Sequence, residues 1–376
     1  MTDDERAAWL ALAEAPALKP AALRALLDAF GLPPALKAQS FRALAAVAGE
    51  AAARAVLADP APGFPLRCAR TSAWVDAPGN QLVALCDPAY PPALLTMHDP
   101  PPLLYVKGEL GSLHTPGIAI VGSRNATPPG LEDAERFARE LAGAGLCIIS
   151  GLALGIDAAA HRGALAVPGG CTVAVVGTGA DLVYPARHRA LADAIAARGA
   201  LVSEWPLGTP ARPAHFPQRN RLIAGLGKGV LVVEAALRSG SLVTARLANE
   251  MGRDVFALPG SIHAPLARGC HQLIRDGAKL TETPDDILDE LGLARPPAAA
   301  RGAVATAPGP AVAARPLTPD GQKLLAALGH APATLEMLAA RTDMDGTALQ
   351  GALLMLELGG HVSALPGGRY VRIAPR

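Results

Sequence analysis

FPQRNRLIAGLGKGVLVVEAALRSGSLVTARLANEMGRDVFALPG, residues Phe216–Gly260, is the stretch whose reading decides the fold. It runs loop, helix, buried strand, glycine turn, helix and strand, with cations at the junctions. The runs Val230–Val233 and Val255–Leu258 are too short for helices and too apolar for exposed strands. Such runs suit a parallel sheet covered on both faces, whose ligands gather beyond the carboxyl ends of its strands.

Upstream, Ile118–Val121, Leu146–Ile149, Thr172–Val176 and Leu201–Val202 repeat the pattern, separated by segments of helical length. Together with the first two runs they predict an α/β core built on a doubly wound parallel sheet. Gln81–Cys86 and Leu103–Val106 read as short strands leading into it. Residues 1–66 place Leu and Ala at helical spacing, broken at Pro16, Pro20, Gly31 and Pro33-Pro34, which predicts three or four short helices. Leu18–Gly31 faintly resembles a helix-hairpin-helix or SAM-like unit, but it lacks the hairpin glycines that bring amides to a phosphate. Packing is its expected role. Pro60–Arg67 reads as a connection into a core of residues 67–293.

Residues 294–316 hold little but Ala, Pro, Gly and Arg, and are expected to be a linker. Beyond them, in residues 317–376, three helical segments precede HVSAL-PGG-RYVRI, a hairpin with a Pro-Gly-Gly turn; that is the order of a winged helix. A chain of 376 residues is long enough for these two or three domains.

The formal charge of +1 excludes a grossly basic protein, yet Trp205–Leu280 holds ten basic residues against four acidic ones. A local field of that sign attracts anions. Aromatic residues make up only 3% of the chain, so stacking on bases would depend on individual rings. The five cysteines are odd in number and widely spaced, as reduced core thiols are. The amino terminus has no basic region followed by an apolar core, and no run reaches the length of a membrane span. A cytoplasmic protein without membrane association is expected.

Chemistry concentrates at the strand ends. Gly122-Ser123-Arg124 closes the first core strand ahead of a helix opening near Thr127, and a helix amino terminus is a natural phosphate site. Ser150-Gly151 with Gly155 repeats the geometry on the next strand, where Asp157 is placed to cap the helix carrying His161. Gly177 and Gly179 supply a third turn, followed by Tyr184-Pro185. Phe216, Arg219, Asn220 and Arg221 join a ring, two guanidiniums and an amide, the pairing that single strands of nucleic acid ask for. Arg219 and Arg221 are two residues apart on a helix, so one is expected to meet a ligand while the other ties strand to loop. Ser239, Gly240, Ser241 and Thr244 place hydroxyls and amides at another helix start. Ser241 lacks a G-x-S-x-G elbow and partners, which favours capping or ligand binding over nucleophilic chemistry. A dinucleotide site is disfavoured because GxGxxG is missing and Ser150-Gly151 stands where an acid for the ribose would be. No metal-ligand spacing is present, and no cofactor is expected.

Taken in order, YPPALL with DPPPLLYVKG, VGSR, SGLALGID, VVGTGAD, SEWP, FPQRNRLIAGL, GVLVVEA, RSGSLVTA and VFALPG resemble the DNA-processing protein A family (DprA/Smf), from about Gln81 to Leu291. The resemblance implies an extended Rossmann-like core that binds single-stranded DNA, dimerises, and helps load the RecA recombinase during natural transformation. It implies no enzymatic step. His188 stands where that family frequently has Asn, and Gly227 where Ser is usual. The alternative, a nucleotide phosphoribohydrolase of the lysine-decarboxylase-like group, carries PGGxGTxxE where this chain has Arg238–Thr244. The expected reading helix of the winged segment, Asp345–Leu358, has no Lys or Arg, so that module is expected to contact protein rather than DNA.

Overall fold

The computed structural model describes residues 1–15, 17–293, 317–329, 332–365 and 368–373. Its centre is a nine-stranded sheet: β1 (Asn80–Ala84), β2 (Leu103–Gly108), β3 (Gly117–Val121), β4 (Cys147–Ser150), β5 (Thr172–Val175), β6 (Ala200–Ser203), β7 (Gly229–Val232), β8 (Asp254–Ala257) and β9 (Lys279–Leu280). The strand order is β1-β2-β6-β5-β4-β3-β7-β8-β9. From β6 to β9 every neighbouring pair is parallel, while β1 and β2 add an antiparallel edge. The two-residue β9 was not anticipated, because so short a strand carries no periodicity to read.

The apolar runs behave as a sheet buried on both faces requires. Successive strand residues point to opposite sides. Ile118 and Ile120 meet Phe137 and Leu141 of the helix Pro128–Gly143, whereas Ala119 and Val121 face the cluster that holds Leu222, Ile223 and Leu226 of the helix His215–Leu226. Phe137 is fully buried, and truncating such a ring to Ala typically costs about 3–5 kcal/mol.

The amino-terminal module holds five helices, Asp3–Ala13, Pro20–Phe30, Pro33–Lys37, Phe41–Ala48 and Glu50–Leu57. That exceeds the expected three or four because Gly49, at φ 83°, splits one apolar run into two helices. Thr2 and Glu5 close the first helix with a reciprocal capping box. The expected connection 60–67 ends inside a sixth helix, Phe64–Val75, whose Pro65 sits in the first turn where a missing N–H costs nothing.

The carboxy-terminal module packs the helices Pro319–Leu328, Leu335–Thr342 and Gly346–Leu358 on a three-stranded sheet ordered β10 (Ala333–Thr334), β12 (Arg369–Arg372), β11 (Val362–Leu365). This is the expected winged-helix order. The linker expected over 294–316 lies outside the described residues, as does part of the Pro-Gly-Gly turn. Among the described residues no helix is long and apolar enough to cross a membrane.

Candidate nucleic-acid interface

The sheet reverses its direction of growth between β3 and β7. The chain leaves β3 towards β4, β5 and β6 on one side, and leaves β7 towards β8 and β9 on the other. Loops departing in opposite directions open a crevice at the carboxyl ends of those two strands. The crevice encloses about 650 Å³. Gly122-Ser123-Arg124 enter it from β3, Tyr184 from the loop after β5, Phe216, Arg219 and Asn220 from the helix His215–Leu226, and Arg238–Ser241 with Thr244 from β7.

Phe216 is half-buried, and the exposed Arg124 holds its guanidinium 5.4 Å from the ring centroid. Tyr184, 53% exposed, lies beside it with centroids 5.6 Å apart and planes tilted by 39°. A side chain at Gly177 would come within 3.1 Å of the ring, so this glycine makes room for Phe216. The helix start is anchored from behind by His215, which stacks on Trp205 at 3.8 Å and pairs its Nδ1 with the Gly177 carbonyl at 3.1 Å.

The two arginines of the FPQRNR segment part company, and both are buried. Arg219 lines the crevice from below, donating to the carbonyls of Gly151, at 2.6 Å, and of Val175, so it ties the end of β5 to the loop after β4. Burial pulls its pKa down to about 10, with Asp157 acting in the opposite sense, so it stays cationic at neutral pH. Arg221 leaves the crevice altogether. Its guanidinium pairs with Glu204 and donates to the Asp99 carbonyl at 2.6 Å, on the side of the helix that faces the amino-terminal module. Burial raises Glu204 to about 7 against the pull of Arg221. Arg219 thus lies under the crevice while making the strand-to-loop tie that was expected of the arginine not meeting a ligand, and Arg221 points away from the crevice. Neither is an exposed cation.

Two helix starts differ from expectation. The helix after Gly122-Ser123-Arg124 begins with Pro128-Pro129, which have no N–H, and Gly130 N–H donates to Thr127 Oγ1 at 3.2 Å. Thr127 itself donates through N and Oγ1 to Glu234, at 2.9 and 2.5 Å. The protein's own carboxylate thus occupies the position at which a phosphate was expected. Asp157 does not cap its helix either; Gly155, at φ 75°, holds the cap position, and an added Cβ there would lie 2.2 Å from the Ser123 carbonyl. Asp157 instead accepts from the N–H groups of Gly151 at 3.1 Å and Ala153 at 3.3 Å, closing the loop over itself. Burial raises its pKa, opposed chiefly by Arg219.

Other expected residues are structural. Ser150 Oγ donates to the Ile120 carbonyl at 2.7 Å, and Gly179 packs against Pro206 and Gly208. Leu152 adopts a positive φ of 57°, a conformation that concentrates at functional loops, and its carbonyl meets His188 Nδ1 at 2.9 Å. An Asn amide could supply the same donor. His161 is sealed beneath the sheet against Thr172 Oγ1 at 2.7 Å, and burial lowers its pKa to about 3. Ser239 caps its helix and contacts Ser241 Oγ at 2.7 Å, with Thr244 buried one turn further on.

Tyr184 and Arg238 line the crevice without having been singled out for it. An aromatic residue in a strand-end loop of an aromatic-poor chain was the available signal for Tyr184. Among the described residues no cluster of three or more His, Cys, Asp or Glu could hold a metal ion.

With this geometry in view, residues 81–292 match the family model of the DNA recombination-mediator protein A, and residues 308–368 match the DprA winged helix domain. The chain belongs to the DNA recombination-mediator protein A family. It is 44% identical over 321 residues to Protein Smf of Escherichia coli (strain K12), covering 82% of each chain. It is 47% identical over 207 residues to DNA processing protein DprA of Streptococcus pneumoniae, covering 55% of this chain and 73% of the relative. The X-ray structure of DprA from Streptococcus pneumoniae aligns with a TM-score of 0.63 at 35% identity, over 77% of this chain and 98% of that one. DprA from Helicobacter pylori, solved for its single-stranded DNA binding mode, aligns with a TM-score of 0.51 at 32% identity, over 56% of this chain and 95% of that one.

Proposed function

We propose that the crevice binds single-stranded DNA and that the protein, acting in the cytoplasm without a catalytic step, passes the strand to the RecA recombinase in natural transformation and recombination. One observation carries the reading: the exposed cation Arg124 and the rings of Phe216 and Tyr184 converge at the switch point of the sheet. Rings stack on bases of any identity and a guanidinium meets phosphate, which is the chemistry of sequence-tolerant single-strand binding. The single-stranded DNA binding of the Helicobacter pylori relative supports the same ligand here. Ser239, Ser241 and Asn220 would add polar contacts along the opposite wall.

Assembly as a homodimer is part of the proposal. The short strand β9 forms one edge of the sheet, and Leu280 within it and Ile262 in the loop after β8 are 47% and 75% exposed. The winged module is assigned to a protein partner, since the helix Gly346–Leu358 has no cation and exposes Leu354, Met355 and Leu358.

The test is binding of a labelled oligothymidylate by the full chain as salt is varied. Single-strand binding gives a logarithmic slope of about −0.7 per phosphate neutralised, and affinity that ignores salt would overturn the proposal. The phosphoribohydrolase alternative calls for acid-base groups free to act on a glycosidic bond. Asp157, which lines the crevice, and Glu234, just past the end of β7 and outside that lining, are each committed to hydrogen bonds with the protein. Release of free base from nucleoside monophosphates by the purified chain would decide for that alternative.

A further inference from the structure

Away from the crevice, at the amino ends of β4 and β5, two thiols meet. The register pairs Ile148 with Thr172, and Ile148 N–H donates to the Cys171 carbonyl at 3.0 Å, so Cys147 and Cys171 lie side by side on neighbouring strands. Their sulfurs are 2.9 Å apart, in a hydrogen bond. Neighbouring strands run about 4.8 Å apart, and disulfides span Cα separations of roughly 4.4–6.8 Å. Cys171 precedes β5 and follows Gly169, at φ 70°, and Gly170. None of the other three cysteines is in sulfur contact with another: Cys68 and Cys86 lie apart, and the buried Cys270 faces the Val232 and Val233 carbonyls at 3.6 Å.

We propose that Cys147 and Cys171 form an oxidisable dithiol that closes to a reversible intramolecular disulfide on exposure to hydrogen peroxide. The two sulfurs are unequal partners. Cys147 is buried at 1% exposure, whereas Cys171 is only partly covered and open to a small oxidant. Hydrogen bonding with Cys147, and with Ser112, pulls the Cys171 thiol down to about 7 against the effect of burial, so a fraction of it is thiolate at neutral pH. The same hydrogen bond, together with burial, pushes Cys147 up and keeps its proton in place. Cys171 sulfur therefore attacks a peroxide oxygen, breaking the O–O bond to give a sulfenic acid and hydroxide. Cys147 then loses its proton, attacks the Cys171 sulfur and expels hydroxide as the S–S bond forms. In sum two thiols and one peroxide give one disulfide and two waters. The bridge would staple the unit β4, helix Ile156–Leu165 and β5 at the end of the sheet opposite the crevice, so DNA binding is expected to persist in the oxidised form.

The experiment treats the full chain with hydrogen peroxide, blocks remaining thiols with iodoacetamide after unfolding, and maps peptides by mass spectrometry. The expected result is loss of two of the five thiols, a peptide linking Cys147 to Cys171, recovery of both on dithiothreitol treatment, and a higher melting temperature while the bridge is closed. Cys147→Ser should leave a sulfenic acid at Cys171 that dimedone traps, and Cys171→Ser should leave Cys147 unmodified. Five alkylated thiols after treatment, sulfinic acid at Cys171 beside a free Cys147, or covalent dimers through the exposed Cys86 would each overturn the proposal. The mapping of the unmutated chain stands whether or not the variants fold.

Discussion

Replacing Phe216 by Ala and Arg124 by Ala separates the two forces assigned to the crevice. A half-buried ring positioned by Gly177 and flanked by Tyr184 can support one stacked base. Loss of one stack costs about 1–3 kcal/mol, roughly a 5- to 150-fold loss of affinity. Stacking neutralises no phosphate, so the salt slope of Phe216→Ala should match that of the unmutated chain. Arg124→Ala should weaken every oligonucleotide sequence alike and make the slope shallower by about 0.7, the contribution of one phosphate contact. Because the guanidinium sits 5.4 Å from the ring, the two side chains also support each other. The double variant should fall short of additivity by about 0.5–1 kcal/mol, the strength of an exposed cation–π contact. Fluorescence anisotropy of a labelled oligothymidylate across a salt series reads all of these quantities. A Phe216→Ala slope as shallow as that of Arg124→Ala, or undiminished affinity in both variants, would refute the division of labour.

Glu204→Ala removes one of the two carboxylates that meet the Arg221 guanidinium, whose side chain is 10% exposed and which keeps Asp99 Oδ2 at 3.5 Å, and should destabilise the fold by roughly 1.5–3 kcal/mol in urea unfolding while leaving oligonucleotide affinity of the folded protein unchanged. A large loss of affinity instead would place Arg221 in the DNA path. His161 gives a pH signature: its folded-state value of about 3 lies below the ordinary 6.5, so the unfolded chain binds the proton first as pH falls. Its contribution is intact above about 6.5 and is lost progressively down to about 3, at up to ~1.4 kcal/mol per pH unit. Glu204 and Glu234, both raised by burial, act in the opposite sense, so the readout is the difference between the unmutated chain and His161→Gln, whose stability should fall less steeply below pH 6.5; parallel profiles would contradict it. Deleting residues 317–376 should leave oligothymidylate affinity within about threefold, an allowance of roughly 0.65 kcal/mol, and complete loss of binding would show that the winged module holds DNA.

The sequence by itself determined the elements and their order. Short Val- and Ile-rich runs between helical segments admit little besides a sheet covered on both faces, and glycine turns at their carboxyl ends marked the side on which the crevice opens. These are local properties, set by side-chain period and backbone freedom, and the eight expected strands survived in the structure with boundary shifts of a residue or two. Pro128-Pro129 could have been read the same way, since two residues without N–H cannot offer amides to a phosphate. Tertiary structure decided which charges are available. Arg219 finds its acceptors 68 and 44 residues away, Arg221 its Asp99 carbonyl 122 residues away, and Glu234 reaches back 107 residues to Thr127. The placement of Tyr184 beside Phe216 and of Cys147 beside Cys171 follows in the same way from how the chain returns to the sheet. Whether a charge, ring or thiol is free to act depends on what the fold packs against it, and a buried charge is paired wherever the fold supplies a partner. That choice of partner is made in three dimensions.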